Sequence, residues 1–239
     1  MASDGQALHL DGPPKVSLLR SKLLLDVHMT PEELGNVRLG GGTALAMRWR
    51  HRLSTDIDFA MQGNLALAFI NRVRDALSGD LRARKAKGEL RKFRVGWRTA
   101  MWLYTDSGPV SLSASDYGQG DGMDWESDTK IAVAPTRDIL RGKLFGRVLD
   151  GNRLLARDGY DLCAAFRHDI EAVRGLIEEA KRYRGEDLSN ICQLVVDSGR
   201  RIIEGRPLLG AIHDDLAHDP WREFVRLVET VPVPDPPSP

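Results

Sequence analysis

The chain has 239 residues, 42% hydrophobic and 28% charged, with 34 Lys plus Arg against 34 Asp plus Glu. That size and mixture fit a globular protein of one large or two modest domains, and the neutral total says nothing about a partner. No apolar run approaches the roughly 18–20 residues that span a bilayer, and the opening MASDGQALHLDG lacks a basic-then-apolar signal pattern. Cys163 and Cys192 are the only cysteines, with neither CxxC spacing nor a disulfide framework, so a cytoplasmic location is expected.

The first dozen residues are polar. Val16 to Val27 has the Leu and Val spacing of a helix, and Pro31-Glu32-Glu33 opens another short helical turn. Asn36 to Leu39 reads as a brief strand running into Gly40-Gly41-Gly42, after which Thr43 is the expected N-cap of a helix ALAMRWR. Ser54 to Ala60 alternates as a strand, and Leu65 to Leu77 returns to helical period. Leu81–Lys87, Phe93–Tyr104 with a break, and Val110–Ser115 are strand candidates, followed by a Gly/Asp loop from Tyr117 to Asp124. Pro135 stands where an N1 proline would start the helix TRDILRGKLFGRVLD. Helical segments then continue to Thr230, and VPVPDPPSP is expected to be extended or disordered. This is an α+β pattern with a helical second half, divided at 1–134, 135–230 and a tail 231–239.

Charge is uneven along the chain. Between Arg72 and Arg98 there are ten Lys or Arg against three acids, and from Thr99 to Thr129 six acids and no Lys or Arg. Such a pair of stripes is either a polyanion-binding face beside a metal-rich pocket or two solvated faces of adjacent strands.

Asp56 and Asp58 carry the first chemical signal. On a strand, residues i and i+2 face the same way, roughly 7 Å apart at Cα. Two carboxylates so placed repel unless a cation lies between them, and magnesium, which takes oxygen ligands and leaves positions for substrate phosphates, suits them. A DxD is also common on solvated turns. Gly41, Gly42 and Thr43 supply the second signal, because backbone amides at a helix N-terminus can receive a phosphate. GG before a helix is equally ordinary turn chemistry. The fixed spacing between the two motifs joins them, since the intervening helix returns the chain to the same edge of the sheet. His51 and the other histidines have no metal or triad spacing, while Trp49, Trp97 and Trp102 suit a core or a base-stacking edge.

These residues resemble the nucleotidyltransferase superfamily, whose signature is a G-[GS] turn, a helix and a D-x-D strand. More narrowly, GGTALAMRWRHRLSTDIDF resembles the AbiEii/AbiGii toxin family, in which GGTAL leads into R-x-S-x-D-[IL]-D-[FL]. Arg52, Ser54, Asp56, Asp58 and Phe59 match that pattern. A second family motif, K-L-x-A-L followed by R-D-x-x-D-L, is met by Lys143-Leu144-Phe145-Gly146-Arg147 and by Arg157-Asp158-Gly159-Tyr160-Asp161-Leu162. The resemblance covers roughly Val37 to Phe166.

It implies a DNA polymerase beta-like nucleotidyltransferase domain with a mixed sheet and flanking helices, followed by a helical bundle that contributes to the active site. It also implies a magnesium-dependent toxin of a toxin–antitoxin or phage-defence system. Such an enzyme moves NMP from an NTP to an acceptor, the 3′ end of tRNA, and releases pyrophosphate. On that reading Asp56 and Asp58 hold one or two magnesium ions. Gly41, Gly42, Thr43, Arg52 and Ser54 bind the nucleotide, and Lys143, a compact cation, reaches the β- and γ-phosphates. Asp161 completes the catalytic set, with Asp158 better suited to a salt bridge with Arg157 or Arg147. Many members of the superfamily hold a third carboxylate on a later strand. Here Val110 to Ser115 offers serines instead, and Asp106 and Asp116 only flank it. Two other readings stay open: nucleotidylation of a protein, such as AMP transfer to a partner or cognate antitoxin, and a catalytically silent nucleotide- or RNA-binding module.

Overall fold

The computed structural model describes residues 27–96, 100–105, 108–115, 132–150, 154–184 and 208–232. The helix expected from Val16, Trp97, Asp106, Asp116, the loop from Tyr117, the helix around Cys192, the tail from Val233 and the side chain of Trp102 lie outside them. The chain divides into two compact units, one ending at Val133 and the other beginning at Ala134.

In the N-terminal unit the hydrophobic pattern builds a six-stranded mixed sheet. The strands are β1 (Arg38–Gly40), β2 (Ile57–Met61), β3 (Lys92–Val95), β4 (Ala100–Thr105), β5 (Gly108–Ala114) and β6 (Ala132–Val133). Their order is β3-β4-β5-β2-β1-β6. β2 pairs antiparallel with β1 and parallel with β5, so it is a central strand. Ile57, Phe59, Ala60 and Met61 are accordingly all buried, as a strand covered on both faces requires.

Helix α1 (Pro31–Asn36) starts in a capping box: Thr30 Oγ1 accepts from Glu33 N at 3.2 Å, and Glu33 Oε2 accepts from Thr30 N at 2.8 Å. Helix α2 (Gly41–Trp49) begins at Gly41 with Gly40 as its N-cap, so Thr43 lies within the first turn rather than capping it. Its C-cap, Arg50, takes the left-handed conformation at φ 51°.

The long helix α3 (Gly63–Ala86) corrects the sequence reading most clearly. Leu81–Lys87, expected as a strand, is its last turns. Ala66, Phe69, Ile70, Val73, Leu77 and Leu81 are its buried residues, a spacing of three and four that carries one helical stripe through Leu81. The expected break in Phe93–Tyr104 separates β3 from β4, which pair antiparallel. The basic stretch therefore starts on a helix and runs on through a connection into β3, so its first half is helical and not part of a strand.

The second unit is helical. α4 (Thr136–Arg141) has Pro135 at its N-cap, one position earlier than expected, and runs on into a π-helical segment, Gly142–Leu149. α5 (Ala156–His168) is buried continuously from Asp158 to Ala165, which makes it the centre of this unit. α6 (Ile170–Arg184), α7 (Asp214–Ala217) and α8 (Pro220–Glu229) follow. α5 and α8 pack closely at Gly159, where a Cβ would come within 2.9 Å of the Trp221 ring. Trp221 Nε1 donates to Leu155 O at 3.1 Å. Among the described residues no helix is long and apolar enough to cross a membrane.

Candidate active site

The glycine turn and the two aspartates meet because β1 and β2 are antiparallel. The chain leaves β1 at Gly40, passes through α2 and a loop, and re-enters the sheet at Ile57, so Gly40 stands directly opposite Asp58. Asp58 is in β2. Asp56 is buried and precedes the strand by one residue, because the strand begins three residues later than the alternating sequence suggested.

Both glycines after Gly40 leave room for a charged side chain. Gly41 has φ 63°, and a Cβ on it would lie 2.9 Å from Asp58 Cβ and Cγ and closer still to Oδ2. A Cβ on Gly42 would lie 3.0 Å from Cζ of Arg52 and closer to Nη2. The absence of side chains here therefore seats Asp58 and the buried Arg52 against the start of α2. Arg52 Nη1 donates to Leu53 O at 2.9 Å, which ties the guanidinium to its own loop.

Thr43 and Ser54 hold that loop. Their hydroxyls are 2.8 Å apart, and Thr43 Oγ1 also donates to the backbone carbonyl of Asp56. Thr43, Arg52, Ser54 and Asp56 thus form one locally cross-linked arm between α2 and β2. Thr55 Oγ1 lies 3.4 Å from Asp56 Oδ1.

Sequence reasoning left one residue out of the site. Ser111 is the β5 residue in register with Asp58, and its Oγ donates to Asp58 Oδ1 at 2.8 Å. The signal for it was the run of serines on the strand where a third carboxylate was sought. Asp106 and Asp116 lie outside the described residues, among which no group of three or more His, Cys, Asp or Glu side chains could hold a metal.

Lys143, Asp158 and Asp161 gather in the second unit. Lys143 Nζ is 2.5 Å from Asp158 Oδ1 and 2.9 Å from Asp161 Oδ2, and Arg147 Nη1 is 2.5 Å from Asp158 Oδ2. Both aspartates are fully buried and Lys143 nearly so. Burial pushes the Asp158 carboxyl up, but the charges of Lys143 and Arg147 and the Lys143 hydrogen bond outweigh it and hold it below the usual range. The π-helical segment carries both cations, and α5 carries both anions three residues apart on one helical face. Arg147, one of the two cations expected beside Asp158, is thus its partner. Burial pushes the Cys163 thiol up, and its Sγ donates to Pro220 O at 3.2 Å.

A solved structure with a similar fold is the crystal structure of a candidate nucleotidyltransferase from H. pylori. It is 18% identical, with a TM-score of 0.53, over 91% of this chain and 93% of that one. The solution structure of the antibiotic-resistance factor ANT(2'')-Ia also matches, at 16% identity and TM-score 0.46, over 74% of this chain and 95% of that one. No curated protein matches in sequence. The family described as "Nucleotidyl transferase AbiEii toxin, Type IV TA system" matches residues 23–235. With the glycine turn, the D-x-D strand and the Lys143–Asp161 motif all inside that span, the chain belongs to the AbiEii nucleotidyltransferase toxin family of type IV toxin–antitoxin systems.

Proposed function

We propose that this nucleotidyltransferase moves a nucleoside monophosphate from an NTP to a hydroxyl at the 3′ end of tRNA, with magnesium bound at Asp56 and Asp58. The observation that carries this reading is the seating of the Asp58 carboxylate against Gly41, at the N-terminus of a nine-residue helix. On this reading the carboxylate would serve as a metal ligand beside amides suited to a phosphate.

The donor set fits magnesium. It is all oxygen, it has two carboxylates, and this ion is ordinarily held by one or two protein carboxylates plus substrate phosphates. When bound, magnesium would neutralise the triphosphate and make the attacking hydroxyl more acidic. The chain's own work is positioning and charge. Amides of Gly41 and Gly42 would face a phosphate, Arg52 would add a fixed positive charge, and the Thr43–Ser54 contact would keep the arm from drifting. In the transfer the acceptor hydroxyl releases its proton to water as its oxygen bonds to the α-phosphorus, the bond from that phosphorus to the β-phosphate oxygen breaks, and pyrophosphate leaves with its electron pair. Lys143 and Asp161 enter this reading from the family motif, Lys143 as a cation toward the β- and γ-phosphates.

Support for an RNA acceptor comes from the family resemblance and from the exposed cations Arg82, Lys85, Lys87, Arg91, Lys92 and Arg94 on α3, β3 and the segment between them. The type IV family also implies an antitoxin as a partner. The test is incubation with magnesium, each labelled NTP in turn, and total RNA or total protein. Label in RNA that disappears in Asp56→Asn and Asp58→Asn supports the proposal, and label in protein would replace tRNA as the acceptor. No label in either would favour a silent binding module.

A further inference from the structure

Across the sheet, Asp58 has two neighbours in register: Gly40 on β1, which carries no side chain, and Ser111 on β5. In-register residues of paired strands point to the same face, and the Ser111 hydroxyl does reach the carboxylate, at 2.8 Å from Oδ1. On the other edge of that carboxylate, Oδ2 sits over Gly41. The two oxygens are therefore unequal. One is engaged by a hydroxyl donor, and the other faces the glycine turn.

We infer that Ser111 is a positioning residue for Asp58: its hydroxyl fixes the carboxylate so that Oδ2, over Gly41, is the oxygen offered to a divalent cation. The chemistry of the position supports this. A carboxylate at residue 111 would put a second negative charge within hydrogen-bond distance of Asp58, and like charges that close raise one another's pKa unless a further cation joins them. A serine instead donates a hydrogen bond that restricts the carboxylate's rotation without adding charge. Register gives the arrangement its precision. Asp58↔Ser111 lies inside a five-residue parallel ladder running from Ile57↔Val110 to Met61↔Ala114, and Ile57, Phe59, Val110 and Leu112 anchor that ladder in the core. Slipping the pairing by one residue would put Ile57 or Phe59, instead of Asp58, beside Ser111.

This inference rests on the reading of Asp56 and Asp58 as a metal site, and its test separates the two. The probe is Mn2+ alone, titrated into the full chain and followed by the loss of its free electron paramagnetic resonance signal. Thermal unfolding with and without Mn2+ is measured in parallel. Ser111→Ala is expected to weaken Mn2+ binding by about three- to tenfold, the scale of one ordinary net hydrogen bond. It should shrink the Mn2+-induced rise in Tm while leaving the metal-free Tm within a few degrees. Ser111→Thr, which keeps the hydroxyl, should restore binding to within about twofold, and Ser111→Cys replaces the alanine variant should that one fail to fold. Wild-type Mn2+ affinity in Ser111→Ala, alongside loss of binding in Asp58→Asn, would overturn the role of Ser111 and leave the metal site standing. Equal Mn2+ binding by wild type, Asp56→Asn and Asp58→Asn would overturn the metal site itself.

Discussion

The carboxylate of Asp58 fills the space in which residue 41 would otherwise carry a Cβ. Gly41→Ala should therefore be costly twice over, through overlap with Asp58 and through the left-handed φ of 63°. A loss of about 1–3 kcal/mol in urea unfolding is expected, the usual cost of an overpacked site, together with loss of nucleotidyl transfer as Asp58 is pushed aside. Gly35→Ala is the control. It has open space around it on α1, and its unfolding free energy should match or slightly exceed the wild type.

Lys143→Met should destabilise the protein by about 3–5 kcal/mol, because it strips a buried cation from two buried aspartates. Asp158 would retain Arg147, while Asp161 would lose its 2.9 Å contact with Lys143. Lys143→Met combined with Asp161→Asn should consequently recover part of the loss. A double-mutant cycle by chemical denaturation reads this directly.

Acid should weaken the fold through the same cluster. The Asp158 carboxyl is held below its ordinary value, with burial opposing the shift and Lys143 and Arg147 producing it. Its unfolded-state pKa is about 3.9. A lowered folded pKa contributes stability that is present above the unfolded value and is lost as pH falls through the folded one. The unfolding free energy should thus decline below about pH 4, and Asp158→Asn should flatten that decline. Glu33 and Asp80 are shifted in the same direction, so part of the slope will remain.

The acceptor can be tested on α3. Arg84 is paired with Asp80 at 2.9 Å and Glu89 at 3.3 Å, so it is a poor choice for charge reversal, whereas Arg82, Lys85 and Lys87 are exposed. Reversing those three to Glu should weaken RNA labelling at moderate salt. It should also reduce the slope of log affinity against log salt by about two to three, because each lost phosphate contact removes released counterions. NTP use should be unchanged. An unaltered salt slope would mark these cations as a solvated face and remove the charge support for an RNA acceptor.

Local chemistry made the glycine turn, the D-x-D and the motif around Lys143 and Asp161 legible in the sequence. Each is a short run whose residue types and spacing are read without knowing what packs where. The long stripe on α3 was legible only as far as Leu77. Beyond it, Ser78-Gly79-Asp80 has the composition of a turn and breaks the helical reading, until burial of Leu81 on the same stripe supplies the reason to continue it. Thr43 could be placed near the start of α2, but its bonds to Ser54 and Asp56 depend on the loop that folds back over it. Ser111 is the clearest case. Fifty-three residues separate it from Asp58, and only strand order and register decide that a hydroxyl, rather than a carboxylate, faces the aspartate. Pairing between distant strands is set by which apolar faces can be buried together, and that is a property of the whole sheet, absent from any short stretch of the chain.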